Sequence, residues 1–328
     1  MGLFSRRTRS DEPASRPGGS GSSAPASGSA PGDATAWAPG GSTEAKLPPL
    51  TSSDAHWLRA HAVAAFARAG FVDPVAGDDH VRTAEGIYGL ANLARVLPSY
   101  ERSDWSALVD EHVHNLATAR ERTLPSSVDE VADQLVARVL SVLDLPHDDP
   151  AAGPRLGPDL VVRAAIDYPE TIALLWDGAA LGGWAVTGAP ALAGLRRLPA
   201  PAYRHEEHDV HVFLADDFFG ASRVLLLDDL LASVGAPAPT HGVLVAVPDR
   251  TCLLVHVPRD STVVAAVQLM IGIARSRQSE PGPLSPHVYF RAQPGAELTP
   301  ITRDTGSGVH VVVDGPFAEA MAALGLIG

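Results

Sequence analysis

The sequence has almost no lysine and almost no cysteine, with one residue of each, Lys46 and Cys252. The absence of any other lysine excludes phosphate loops of the Walker type and Schiff-base chemistry from the rest of the chain. A single cysteine excludes an internal disulfide and favours a reducing compartment. Because Cys252 lies in the apolar run Thr251–Val255, its thiol is predicted to be buried and unreactive.

Long apolar runs are also missing. The longest run, Val263–Ala274, contains Gln268 and is too short to cross a bilayer. The arginines near the N-terminus are followed by Asp11 and Glu12, where a secretory signal would need apolar residues. These absences predict a soluble, cytoplasmic protein with no membrane partner.

Basic residues are too few to balance the acidic ones. The chain has 25 basic and 38 acidic side chains, which gives a formal net charge of −13. Residues 1–50 hold five basic and four acidic residues, so the negative charge belongs to residues 51–328. Such a surface repels phosphate backbones, and nucleic acid is therefore not an expected partner.

Composition divides the chain near residue 50. Of the first 50 residues, 32 are Gly, Ala, Ser or Pro. A segment of this kind buries too little apolar surface to offset the entropy of ordering it, so residues 1–50 are predicted to be a disordered tail. Residues 51–328 are rich in Ala, Val and Leu and predict a single α+β domain, with a helical part at 51–146 and a sheet-containing part at 159–328.

Hydrophobic periodicity places helices first and strands later. Helices are predicted near 53–69, 86–97 and 103–122, and a capping box at Ser127–Glu130 predicts another. From residue 159 onward, short apolar runs separated by turns predict a mixed, largely antiparallel sheet with covering helices. The fold class predicted from these patterns is α+β.

Two stretches of the sheet-containing part have the same order of strand, strand, helix and strand. Thr171–Leu175 precedes Thr251–Val255 by eighty residues, and His211–Leu214 precedes His287–Phe290 by seventy-six. One explanation is an internal ββαβ duplication. The other is that any two hairpins resemble each other.

Four stretches of the sheet-containing part carry a family resemblance. They are Val162–Asp167, Leu195–Pro199, Ala221–Leu225 and Gly242–Pro248. Their order and spacing resemble the YtpQ-like proteins, an uncharacterised bacterial family, over about residues 51–292. The resemblance implies a cytosolic α+β domain with no established cofactor or catalytic residue. The Gly/Ser/Pro-rich leader and the His-rich segment before Val210 depart from the family pattern.

The strongest candidate for a ligand site is the segment Asp216–Arg223. It follows a predicted strand and enters a predicted helix, whose free N–H groups attract anions. Ser222 and Arg223 would reinforce that attraction, and Gly220 would allow a tight backbone turn. The structural alternative is that Asp217 caps the helix and Arg223 pairs with a carboxylate.

A nucleophilic triad can be drawn from Ser222, His256 and Asp217, but the segment lacks the second glycine of a nucleophile elbow. His256 closes a predicted strand and is expected in the core or at its rim. No residue is assigned a catalytic role. The predicted ligand-binding residues are Asp217, Gly220, Ser222, Arg223 and His256.

Two further motifs imitate known sites. In His205–His211 the first two histidines are three residues apart, whereas a zincin helix needs four, so a solvated acidic loop is expected. The alternative is a weak divalent-cation site at His205, His208 and His211. Asp304–Gly308 imitates the aspartic-protease signature, but that chemistry needs two carboxylates and the motif occurs once. No metal and no cofactor is predicted.

The sequence therefore predicts a non-catalytic module that binds a small-molecule ligand or a protein. The reasons are the lack of a metal set, a phosphate loop, a nucleotide fingerprint or a convincing triad. The alternative is a small-molecule enzyme, a hydrolase or transferase, with its site around Asp217, Ser222, Arg223 and His256.

Overall fold

The computed structural model describes residues 2–5, 42–123, 125–145, 147–169, 171–306 and 308–328. The described helices are α1 (Ser52–Arg68), α2 (Ala91–Val96), α3 (Trp105–Arg120), α4 (Gly183–Arg197), α5 (Leu227–Ser233), α6 (Thr262–Ser276) and α7 (Gly315–Ala323). The described strands are β1 (Gly2–Ser5), β2 (Val75–Ala76), β3 (His80–Arg82), β4 (Ile87–Gly89), β5 (Leu135–Ser141), β6 (Leu160–Asp167), β7 (Thr171–Leu174), β8 (Ala202–Glu206), β9 (Val210–Leu214), β10 (Val243–Ala246), β11 (Cys252–His256), β12 (Val288–Arg291), β13 (Thr299–Pro300), β14 (Thr302–Asp304) and β15 (Val309–Val311). The α+β class is confirmed.

Two sheets carry most of the strands. The four-stranded sheet has the order β1-β7-β6-β5, and the six-stranded sheet has the order β13-β12-β10-β11-β9-β8. Every described pair in them is antiparallel. Strand β5 lies in the part of the chain that was predicted to be helical. All seven of its residues are buried, and a fully buried run has no periodicity that would distinguish a strand from a helix.

The central strands of the six-stranded sheet, β9 to β12, are buried on both faces, since alternate residues of a strand point to opposite sides, whereas β8 is exposed along its length. Val243 and Val245 belong to a hydrophobic cluster shared with the four-stranded sheet, α4 and α5. Leu244 and Ala246 belong to a second cluster with α6 and α7. A third cluster joins α1, α2 and α3. Removing a large aliphatic side chain from water stabilises the fold by about 1.5–3 kcal/mol. Burial in the cluster that both sheets share therefore holds the two sheets together.

The structure differs from the predicted tail at residues 1–50 in two places. Leu47 and Leu50 are fully buried in the third cluster, so the folded chain begins before residue 51. At the other end, β1 pairs with β7 from Gly2 opposite Leu174 to Ser5 opposite Thr171. Composition averaged over fifty residues hides short apolar segments of this kind. Residues 6–41, to which the prediction of disorder also applies, lie outside the described residues.

The helix predicted after the capping box Ser127–Glu130 is absent. Residues 126–134 form turns that lead into β5. The Glu130 carboxylate accepts a hydrogen bond from the Ser126 backbone N–H at 3.2 Å, so the local contact forms without the helix. Serine and glutamate side chains satisfy turn backbones as readily as helix ends, which is why the motif misled.

The two stretches with a ββαβ order pair their strands differently. In the second stretch, β12 returns after α6 to pair with β10 of its own hairpin. In the first, the hairpin β6–β7 stays in the four-stranded sheet, whereas β9 joins β11 of the other sheet. The sequence pattern repeats but the topology does not, because pairing depends on long-range contacts that a local pattern does not contain.

Candidate functional site

The predicted segment Asp216–Arg223 connects β9 to the helical turn before α5, and its charged residues form an internal ion pair. The Arg223 guanidinium donates to both carboxylate oxygens of Asp217, at 3.0 and 2.8 Å, and to the carbonyl oxygen of Pro199 at 2.7 Å. Arg223 is buried. Asp217 also accepts from the Phe219 backbone N–H at 2.8 Å. A bidentate pair of this kind occupies the groups that an anion would need.

Ser222 is occupied by a structural contact as well. Its hydroxyl oxygen accepts a hydrogen bond from the backbone N–H of Val139 at 2.9 Å, and the side chain is buried. Val139 lies in β5, the edge strand of the four-stranded sheet. The hydroxyl therefore accepts from a backbone donor on that edge, and this hydrogen bond connects the segment to the four-stranded sheet.

Gly220 is required for a close approach between backbones. A Cβ atom at this position would lie 2.3 Å from the carbonyl oxygen of Thr251. The next residue, Ala221, donates its backbone N–H to the carbonyl oxygen of Arg250 at 3.0 Å. The glycine serves the packing of the segment against the turn between β10 and β11, and its own φ of −51° needs no glycine.

His256 lies at the opposite end of the sheet from Asp217 and Arg223. In the pairing of β9 with β11, Cys252 is opposite Leu214 while His256 is opposite Val210. Four residues separate the two positions, about 13 Å at the usual strand rise of about 3.3 Å per residue. The structure therefore does not bring the five predicted site residues together.

His256 is buried, and in the described part of the chain its ring makes one hydrogen bond. Its Nδ1–H donates to the carbonyl oxygen of Asp209 at 3.1 Å. Burial lowers the pKa of the imidazole, and the bond to Asp209 opposes part of that effect. His256 is thus a core histidine at the rim of the sheet, in agreement with the structural interpretation of the sequence.

Near that rim a cleft of about 220 Å³ opens between the β8–β9 hairpin and the end of α5. The lining divides into a polar and an apolar set. The polar residues are Tyr203, His205, Asp209, His211 and Arg259. The others are Val234, Gly235, Ala236, Pro237 and Val257. A more open cavity of about 430 Å³, beside residues 126–129 and 179–186, contains a single charged residue, Asp129.

The polar residues of the cleft contact one another. Tyr203 and His205 lie two apart in β8, so both point to the same face, and His211 of β9 is paired opposite His205. The Tyr203 hydroxyl lies 2.9 Å from Nδ1 of His211. The imidazole rings of His205 and His211 stack, with centroids 5.1 Å apart and 13° between their planes. These three ring side chains form one wall of the cleft.

Asp209 connects this wall to the opposite side of the cleft. Its carboxylate lies 3.2 Å from Nε2 of His205 and accepts from the Arg259 guanidinium at 2.6 Å. The turn that carries it has two successive left-handed residues, His208 at φ 58° and Asp209 at φ 57°. Such residues cost roughly 1–3 kcal/mol each and persist where the surroundings hold them in place. The strained turn places the carboxylate against the Arg259 guanidinium and the ring of His205.

Burial sets the charge of the wall. It lowers the pKa of His211, and the neighbouring His205 lowers it further. Burial raises the pKa of Tyr203, and the charge of Asp209 adds to that rise. Near neutral pH, His211 and Tyr203 are therefore uncharged, and the cleft offers neutral hydrogen-bonding rings next to one charged pair.

The alternative metal site at His205, His208 and His211 does not form. Among the described residues, no group of three or more His, Cys, Asp or Glu side chains is placed to hold a metal ion. His205 and His211 lie ring over ring, so their lone pairs do not converge on one point. The segment is exposed to solvent from His205 to His208, as expected, but only its middle is a turn, because His205 lies in β8 and His211 lies in β9.

Sequence reasoning identified His205 and His211 but missed Tyr203, which contacts His211, and Arg259, which pairs with Asp209. The alternation of Tyr203 and His205 was the available signal, since residues two apart in a strand share a face. Because the segment is also rich in acidic residues, it was interpreted as an acidic loop, and this alternation was overlooked. Cys252 is confirmed as buried, and burial raises the pKa of its thiol to about 12.

Comparisons with known family models, with curated proteins and with solved structures find no match to this chain. The resemblance to the YtpQ-like proteins therefore stays a prediction. Within the described part of the chain, no helix combines the length and the apolar character needed to span a bilayer.

Proposed function

We propose that this protein is a non-catalytic, cytoplasmic module that binds a small-molecule ligand in the cleft beside the β8–β9 hairpin. One observation carries the proposal: polar side chains from three chain segments converge on a concave surface whose other wall is apolar. This combination is the usual composition of small-molecule sites. At about 220 Å³, below the range of about 300–1,000 Å³ of drug-sized sites, the cleft suits a small ligand.

The lining indicates the chemistry of the ligand. The stacked rings of His205 and His211 favour a flat group, and Val234 and Pro237 favour an apolar one. Arg259 uses a single nitrogen to contact Asp209, and 48% of its side chain is exposed, so further donors can reach a ligand. The ligand class that fits is a small planar molecule with a carboxylate or another acceptor group.

The rival hypothesis, an enzyme working at Asp217, Ser222, Arg223 and His256, has less support. Asp217 and Arg223 are engaged with each other, and Ser222 accepts from β5. His256 lies at the other end of the sheet. A protein partner remains the alternative occupant of the binding module.

The proposal can be tested with benzoate, which joins a flat apolar ring to a carboxylate, and with benzamide as its neutral counterpart. Thermal unfolding of the full-length protein should show stabilisation by benzoate, with a smaller effect of benzamide. The His205→Ala variant should lose the stabilisation. The matched control is Arg204→Ala, because Arg204 is the next residue of β8 and points to the other face.

Equal stabilisation of both variants by benzoate would contradict the proposed cleft. So would the absence of any effect of either compound on the wild-type protein. Stabilisation that survives in Arg204→Ala and disappears in His205→Ala would support it.

A further inference from the structure

Strand β8 is a free edge of the six-stranded sheet. It pairs with β9 on one side, and it is the last strand in the order of the sheet. All five of its residues are exposed. Outside the ladder with β9, the described residues give the backbone groups of β8 no hydrogen-bond partner. Such an edge presents a row of N–H and C=O groups on which another strand can be added.

The other described edges of the two large sheets are shorter or partly occupied. On β5, the backbone N–H of Val139 already donates to the hydroxyl of Ser222. Strand β13 has two residues, and one of them is Pro300, which has no N–H to donate. Strand β1 has four residues. With five residues and no proline, β8 is the described edge that is best suited to pairing with a further strand.

Two side chains of β8 carry opposite charges and contact no counter-charge. Arg204 and Glu206 are two residues apart, so both point to the face of the sheet away from the rings that line the cleft. Their cross-strand neighbours in β9 are apolar, with Val212 opposite Arg204 and Val210 opposite Glu206. In the described part of the chain, neither charged side chain forms a hydrogen bond or an ion pair. The edge therefore carries one positive and one negative group that both remain available to a partner.

These charges select one symmetric pairing of β8 with β8 of a second copy. In an antiparallel pair related by a twofold axis, one residue lies opposite its own equivalent. Pairing centred on Arg204 or on Glu206 would put like charges directly opposite each other, which is destabilising. Pairing centred on His205 places Arg204 of each copy opposite Glu206 of the other. Side chains in such positions have Cβ atoms about 4.5–5.5 Å apart, close enough for an ion pair.

We propose that β8 is a self-association edge, at which two copies of this chain pair their β8 strands antiparallel about His205 and join their six-stranded sheets into one. Backbone hydrogen bonds hold the two strands together, and two ion pairs between Arg204 and Glu206 fix the register. The dimer is weak, because the paired strand has five residues and both copies carry a formal net charge of −13. It therefore forms at high protein concentration.

This edge and the ligand cleft can be tested separately. Arg204 and Glu206 lie on the face of β8 away from the cleft, so a change of their charge removes no group that contacts benzoate. The association is measured without any ligand. A failure of the dimer thus leaves the proposed cleft untouched, and a failure of the cleft leaves the dimer untouched.

Analytical ultracentrifugation of the full-length protein, from micromolar to nearly millimolar concentration, tests the pairing. The wild type should show a reversible equilibrium between monomer and dimer. Arg204→Glu and Glu206→Arg each turn two favourable pairs into two repulsive ones, so each variant alone should associate about tenfold more weakly or less still. Arg303→Glu is the matched control, because it makes the same change of charge as Arg204→Glu at an exposed position of β14, and it should associate like the wild type.

A mixture of the two variants gives the sharpest result. Arg204→Glu carries two carboxylates on this face and Glu206→Arg carries two guanidinium groups, so the two variants are complementary to each other. Mixed together they should form heterodimers with an affinity close to that of the wild type, and the double variant Arg204→Glu/Glu206→Arg should form homodimers. The proposal is overturned if the wild type stays monomeric, if both single variants associate as strongly as the wild type, or if the mixture associates no better than either variant alone.

Discussion

Two arginine–aspartate pairs lie at opposite ends of strands β9 and β11, and they differ in their access to water. In the pair of Arg223 with Asp217, the side chains are 4% and 16% exposed. In the pair of Arg259 with Asp209, they are 48% and 39% exposed. An arginine–aspartate pair thus stabilises the fold where water is excluded, and its side chains remain available to a ligand where water reaches them.

The hydrogen bonds of the two arginines reflect this difference. Arg223 fixes the segment after β9 through Asp217 and also holds the carbonyl oxygen of Pro199. Within the described residues, Arg259 makes one side-chain hydrogen bond, to Asp209. Substitutions at the first pair should therefore change stability, and substitutions at the second should change binding.

The largest effect is expected at the buried pair. Arg223→Met leaves the Asp217 carboxylate largely buried and without its counter-charge, which typically costs about 3–5 kcal/mol. The free energy of unfolding from urea denaturation should fall by about that amount. Arg196→Met at an exposed pair should change it by less than about 1 kcal/mol. A similar small loss for both variants would remove the distinction between a buried and an open pair.

Lowering the pH should reduce the stability of the protein through the buried histidines near the cleft and not through exposed ones. His211 and His256 are buried, and burial lowers both pKa values below the ordinary value of about 6.5. Well above pH 6.5 both are neutral in the folded and unfolded chains. As the pH falls below 6.5, the unfolded chain binds protons that the folded chain does not, so stability decreases until the lowered pKa values are reached.

Urea denaturation at pH 7.5 and pH 5.0 measures this loss. His256→Gln removes one of these imidazoles, so the difference in unfolding free energy between the two pH values should be smaller in the variant than in the wild type. His310→Gln, at an exposed position of β15, is the control and should leave the difference unchanged. An undiminished difference in His256→Gln would show that this ring does not contribute to the acid sensitivity.

The comparison also shows which features the sequence allowed us to predict. The segment Asp216–Arg223 was correctly placed between a strand and a helical turn, and the pairing of Arg223 with a carboxylate was foreseen as the structural alternative. The helices α1 and α3 followed from periodicity, because each buries one face. Local patterns sufficed for these features.

What could not be predicted depends on pairing across the chain. Arg138 and Arg250 are 112 positions apart in the sequence, and both lie near the ring of Phe218 because two sheets pack against each other. Tyr203 and Arg259 reach the same cleft only through the order β11-β9-β8. Such neighbours leave no local signal, since strand order is set by long-range contacts.

The smallest effect on stability is expected at the open pair, where it gives the sharpest contrast. Arg259→Gln removes a solvent-exposed ion pair, and such pairs contribute about 0–1 kcal/mol. The unfolding free energy should therefore change little, while benzoate binding weakens because the guanidinium that meets its carboxylate is gone. Benzamide, which has no charge to lose, should bind the variant and the wild type alike. A large loss of stability in Arg259→Gln would show that this ion pair stabilises the fold as much as that of Arg223 does. Arg259 would then not be the charged group that binds a ligand in the cleft.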